Sequence, residues 1–176
     1  IKIDKDYFVY KEALEKDYFC KRADGPYMKG KVWPGECNFP DYTNPVVREW
    51  WAGLFKELIS DIGVKGVWND MNEPAVMEVP NKTFPMDVRH DYDGNPCSHR
   101  KAHNIYGTQM ARATYHGVKR FAYPKRPFVI TRSAYAGAQR YSSSWTGDNV
   151  ASWEHLWIAN IQMQRMSISG MGFTGS

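Results

Sequence analysis

Two aspartates stand where chemistry is easiest to arrange. Asp70 lies in Gly66-Val67-Trp68-Asn69-Asp70-Met71-Asn72-Glu73-Pro74, where a short apolar run, Val64 to Trp68, ends abruptly in polar groups and a proline. Asp148 lies in Trp145-Thr146-Gly147-Asp148-Asn149, at the end of a second β-prone stretch. Polar groups crowded at the ends of buried strands are typical of α/β enzyme sites. A strand tip is rigid, so a carboxylate there is held firmly against a substrate. One such aspartate more often caps a helix or binds an arginine. Two on one chain, each near a tryptophan, weigh against that bland reading. Paired carboxylates in an aromatic pocket suit glycoside hydrolysis. In retaining enzymes one attacks the sugar and the other protonates the leaving oxygen, at a separation of about 5–5.5 Å; inverting pairs stand roughly 6.5–9.5 Å apart. The chain is 15% aromatic, with seven Trp and eleven Tyr, and such rings serve both cores and sugar platforms.

The surrounding elements must bring these groups together. Asn44-Pro45 reads as an N-cap followed by the first helical residue. Val46, Val47, Trp50, Trp51, Leu54, Phe55, Leu58 and Ile59 then recur at helical spacing, and Gly63 ends the run. The strand Val64–Trp68 follows. A second helix is expected from about His103 to Ala122, and a second buried strand over Phe128–Thr131, tipped by Arg132-Ser133. A third strand spans Tyr141 to Trp145. Trp153, Leu156, Trp157, Ile158 and Ile161 mark a third helix, and a fourth strand begins near Gly172-Phe173. Residues 17–44 and 75–100 read as long ordered loops, of a length that is usually functional. Strand and helix in alternation mean a parallel sheet. In a (β/α)₈ barrel all strand C-termini share one face, so Asp70, Arg132 and Asp148 would converge there.

Other chemistries fit less well. Cys20, Cys37 and Cys97 are widely spaced with no CxxC, which argues against a zinc knuckle and for free thiols. His99 and His103 have the i, i+4 spacing of helical metal ligands, but no third ligand is evident and the chemistry needs no metal or other cofactor. His155, Met163, Met166 and Met171 read as packing around the third helix. Ser133 and Ser142 to Ser144 lack a His–acid pattern. The net charge of +4 is scattered; its densest group, Lys119, Arg120, Lys125 and Arg126, suits a helix C-terminus better than a nucleic-acid surface. No apolar run is long enough for a membrane helix.

Trp68-Asn69-Asp70-Met71-Asn72-Glu73 resembles the W-x-D-M-N-E nucleophile motif of glycoside hydrolase family 31, the α-glucosidase family. Arg132-Ser133, Gln139-Arg140-Tyr141 and Trp145-Thr146-Gly147-Asp148-Asn149 resemble that family's R-S and W-x-G-D-N segments, in order. Val32-Trp33-Pro34-Gly35, Phe39-Pro40-Asp41 and Thr43-Asn44-Pro45 are similar to its stretch before the nucleophile strand, and Gly172-Phe173-Thr174-Gly175-Ser176 to the start of its F-x-G-x-D segment. The resemblance implies Asp70 as nucleophile and Asp148 as general acid/base. It implies Arg132 as a ligand of sugar hydroxyls, and Trp68, Met71, Trp145 and Phe173 as lining of the −1 subsite. An arginine and polar Asn69 and Asn72 suit an ionised Asp70, and an apolar Trp145 suits an acid that keeps its proton. Asn72 and Glu73 read as supporting groups, Glu73 bonded to loop backbone. Asn72-Glu73-Pro74 also resembles the acid/base motif of several β-glycosidase families. Those need a second Glu at a later strand tip, and Glu78 and Glu154, the only ones after Pro74, fall in a loop and on a helix.

These readings converge on an α/β chain. Residues 1–176 are expected to form part of a (β/α)₈ TIM barrel catalytic domain, from about its third strand to the start of its seventh. The apolar opening Ile1-Lys2-Ile3-Asp4 and the ending at Ser176 fit a segment of a larger barrel. By the resemblance, the parent is a retaining exo-acting α-glucosidase on oligosaccharides or α-glucosides. A transglucosylase, an α-xylosidase of the same family and an inactive fragment are the alternatives. No nucleic-acid or membrane partner is expected, and the full-length parent is a candidate homo-oligomer.

Overall fold

A computed structural model describes residues 1–176. The chain opens with helix α1, Phe8–Glu15, which buries Val9, Tyr10 and Ala13. A hairpin follows, β1 Lys29–Val32 paired antiparallel with β2 Gly35–Asn38. Helix α2 is Pro45–Gly53, and Asn44 caps it by accepting from the Val46 amide at 2.8 Å. Strand β3 is Val67–Asn69. Two-residue strands β4 Arg89–His90 and β5 Cys97–Ser98 lead into the 24-residue helix α3, His99–Ala122. Then come β6 Val129–Thr131, β7 Ser143–Trp145, helix α4 Trp153–Ile168 and β8 Thr174–Gly175.

The four strands β3, β6, β7 and β8 form one sheet in that order, every pair parallel. Asn69 pairs with Thr131, and Thr131 with Ser144, so the tips of β3, β6 and β7 end side by side. Alternate residues take opposite faces. One face carries Asn69, Thr131 and Ser144, all buried, with Val129 packed on Val118 of α3. The other carries Trp68 and Phe173, 61% and 72% exposed. These strands are thus covered on one side and open on the other.

Several elements differ from the sequence expectations. The helix expected to run to Gly63 ends at Gly53, and a π-helical turn, Glu57–Asp61, carries Ile59 into the core instead. The apolar periodicity is right about burial and wrong about a continuous helix. Helix α3 begins four residues before His103. The His99 amide donates to Val88 O at 2.7 Å and the Arg100 amide to Met86 O at 3.2 Å, so a neighbouring loop caps the first turn. Strands β3, β6 and β7 are shorter than expected by one to three residues at their starts. Helix α1 and the β1–β2 hairpin were not anticipated; the hairpin lies inside the loop expected over 17–44. The largest core cluster is built mostly from residues of the two expected loops, Phe39, Tyr42, Phe84 and Val88 among them, packed on Tyr106 of α3.

Candidate active site

Asp70, Met71 and Glu73 belong to one tight turn after β3. Met71 takes a left-handed backbone, φ +60°, and the Ala75 amide returns to Met71 O at 2.9 Å. The Asp70 carboxylate accepts from the Met71 amide at 2.9 Å. The Arg132 guanidinium, from the tip of β6, enters this turn. Its Nη1 lies 3.2 Å from Asp70 Oδ1 and 3.7 Å from Asp148 Oδ2. Its Nε and Nη2 donate to the two oxygens of Glu73 at 2.8 and 2.9 Å, and Nη2 also reaches Met71 Sδ at 3.0 Å. Both aspartates thus sit on one nitrogen, which limits the gap between those two oxygens to about 7 Å. The Arg132 pKa is raised: the hydrogen bonds to Glu73 outweigh burial, and the charges of Glu73, Asp70 and Asp148 add to them.

Asn72 holds the tip from behind. Buried to 3% exposure, it donates to Thr131 Oγ1 at 2.8 Å and to Gly107 O of α3 at 3.3 Å, and accepts from the Ser133 amide at 3.0 Å. Gly107 makes this approach possible, because a Cβ there would stand 2.7 Å from Asn72 O and from Ser133 Cβ. Asn69, expected to support Asp70, points its buried Oδ1 to no partner.

Aromatic placement follows the expectation in part. Trp68 and Trp145 meet edge to face, ring centroids 5.5 Å apart, on the open face of the sheet. Phe173 does not join them. It packs on Phe128 at 6.1 Å, and both precede the first residue of their strands, so Phe173 sits at the end of the sheet away from Asp70. The side chain of Asp148 is 84% exposed, without the apolar enclosure expected of Trp145. Glu73 holds Arg132 rather than loop backbone. Asp70, Met71 and Asn72 line a cleft of about 170 Å³ with Phe39, Trp51 and Tyr106, while Asp148 lines a separate cleft of about 460 Å³ with Asn149 and His155. A larger groove, about 710 Å³, lies between α1 and α2 around Tyr18 and Trp50 and carries none of the strand-tip groups.

A second polar cluster escaped the sequence reading. Asp41 Oδ1 lies 3.1 Å from His90 Nδ1, His90 Nε2 is 2.9 Å from His99 Nδ1, and His99 Nε2 is 3.1 Å from His103 Nδ1. One proton per ring satisfies this chain when each imidazole donates through Nδ1. The i, i+4 spacing of His99 and His103 flagged one link; Asp41 and His90 join only through the fold. Cys20, Asp41 and His90 have ligand atoms within 4.8 Å of one another. Asp41 Oδ1 already accepts from the Thr43 amide and hydroxyl, and Oδ2 from the Asp91 amide. Burial, with Asp41 nearby, pushes the Cys20 thiol well up, so it stays protonated. The donor set is that of a hydrogen-bond network rather than a metal centre.

The sequence pattern described as the glycosyl hydrolases family 31 TIM-barrel domain matches residues 1–176. α-Glucosidase 2 of Bacillus thermoamyloliquefaciens is 46% identical over 99% of this chain and 22% of its own length. Human neutral α-glucosidase C is 42% identical over the whole chain and 19% of its own length. The crystal structure of a glucosidase II α subunit bound to α3-Glc2 superposes with a TM-score of 0.90, at 40% identity, over 99% of this chain and 19% of that one. The chain spans about a fifth of the length of these relatives. The parallel strands with their flanking helices are therefore part of a TIM barrel, and the chain belongs to glycoside hydrolase family 31.

Proposed function

We propose that the protein carrying this sequence is a retaining, exo-acting α-glucosidase that releases glucose from the non-reducing ends of α-linked glucosides. The observation that carries this reading is the bridge from Arg132 Nη1 to Asp70 and Asp148 across three adjacent strand tips. The bound of about 7 Å between Asp70 Oδ1 and Asp148 Oδ2 is compatible with the retaining separation. Asp70, fixed beside a cation and bonded to its neighbour's amide, is the nucleophile. Asp148, on the more exposed β7 tip, is the general acid/base.

The reaction runs in two displacements. Asp70 attacks the anomeric carbon while the bond to the leaving oxygen breaks and Asp148 gives that oxygen its proton. Water then attacks the glycosyl ester, Asp148 takes a proton from it, and Asp70 leaves as carboxylate. Arg132 holds sugar hydroxyls, and Trp68, Met71 and Trp145 present flat and soft apolar surface to the ring. α-Glucosidase names among the relatives support the choice of glucose.

A fluoro-sugar that slows the second step should leave a covalent adduct on the peptide carrying Asp70, and Asp70→Ala should abolish turnover of a nitrophenyl α-glucoside. An adduct on Glu73 would sink the assignment. Maltose should yield free glucose; accumulation of longer oligosaccharides would make the protein a transglucosylase.

A further inference from the structure

We propose that Glu73 is the positioning residue that aims Arg132 at the two aspartates. The proposal rests on the glycosidase reading above. Arginine presents a planar fork of donors. Glu73 takes one edge of that fork in two parallel bonds, Nε at 2.8 Å and Nη2 at 2.9 Å. Only Nη1 then remains, and it is the atom that faces both Asp70 and Asp148. Bidentate carboxylate pairs fix orientation as well as energy.

The sequence spacing makes this possible. Glu73 lies three residues after Asp70, and the left-handed Met71 folds the turn so that both acids flank one guanidinium. Met71 Sδ completes the collar around Nη2. The Arg132 side chain is 20% exposed, and no backbone carbonyl of the chain accepts from it, so its direction depends on this collar. Glu73 touches neither aspartate and is 35% exposed, as a group acting through another would be.

The test is a double-mutant cycle on the complete protein that carries this sequence, with Glu73→Gln, Arg132→Met and the pair. Glu73→Gln is expected to lower kcat/KM on a nitrophenyl α-glucoside about 100-fold, the scale of a misplaced active-site group. Glu73→Asp, which keeps the carboxylate, should recover part of that loss. In the Arg132→Met background, Glu73→Gln should add no further loss. Additive losses, or a Glu73→Asp protein no more active than Glu73→Gln, would overturn the proposal. Should Glu73→Gln fail to fold, Glu73→Asp keeps the charge one methylene short and runs through the same cycle. An inactive wild type, or an active Asp70→Ala, would sink the glycosidase reading itself. Full activity of Glu73→Gln beside a dead Asp70→Ala would sink only this one.

Discussion

Asp41 and His99 make acid the weak direction for this fold. Burial, with His90 and His103 facing it, pushes His99 down to about 3 from an ordinary 6.5. The folded chain therefore keeps His99 neutral where the unfolded chain protonates it. Stability falls as pH drops through 6.5, and the loss accumulates until about 3. Asp41 adds to it lower down. Burial pushes its carboxyl up, but His90, the Thr43 hydroxyl and the Asp91 amide hold it below its ordinary value of 3.8. Its contribution is present above 3.8 and is lost as pH falls through the depressed value. The melting temperature should fall steadily from pH 6.5 to pH 4, and His99→Gln should flatten that slope. An unchanged slope would assign the loss to other groups. Only the His99–His103 link was legible in the sequence, because Asp41 and His90 lie 49 positions apart and meet only when the loops fold together. Asp70, Asp148 and Arg132 were legible as a group, since each closes a β-prone run. The partner of Glu73 was not, because a side chain's direction depends on the turn that carries it.

Helix α3 shows how far periodicity reaches at the scale of elements. Its end at Ala122 matches the expectation and its start does not, since backbone carbonyls from the preceding loop replace a side-chain cap. Parallel pairing was inferable from alternation, whereas the break in α2 was not. There Gly117 of α3 approaches so closely that an added Cβ would stand 2.5 Å from Ala52 O. Two glycine substitutions separate propensity from such contacts. Alanine is favoured over glycine in helices by about 1 kcal/mol. At Gly53 a Cβ would meet nothing within 4 Å, so Gly53→Ala should be neutral or stabilising by up to ~1 kcal/mol. At Gly107 the same change drives a methyl group into Asn72 O. Gly107→Ala should lower the midpoint of urea unfolding and depress kcat together, by moving the turn that carries Asp70. A Gly107→Ala protein as stable and active as the wild type would show that α3 yields at no cost.

At the scale of the molecule, apolar surface is distributed unevenly. Trp153, Leu156, Trp157 and Ile168 of α4 are all more than half exposed, as are Trp68 and Phe173 on the open sheet face. Trp153, Leu156 and Trp157 recur at helical spacing on one face of α4, and a clustered apolar surface of that kind favours association. The 176-residue chain expressed alone should therefore bind a hydrophobic dye and self-associate, and a monodisperse, dye-silent monomer would contradict that expectation. The complete protein should do neither at these positions.

Asn72 has a consequence for the order of events in folding. Its amide joins the β3 tip, the β6 tip and α3: the bonds to Thr131 Oγ1 and the Ser133 amide need β3 beside β6, and the bond to Gly107 O needs α3 docked on that turn. The turn that carries Asp70 thus completes its polar contacts only when all three elements are together. Its last contact is made when the outer helix docks and lost when that helix leaves, which ties the shape of the site to the packing of this part of the barrel.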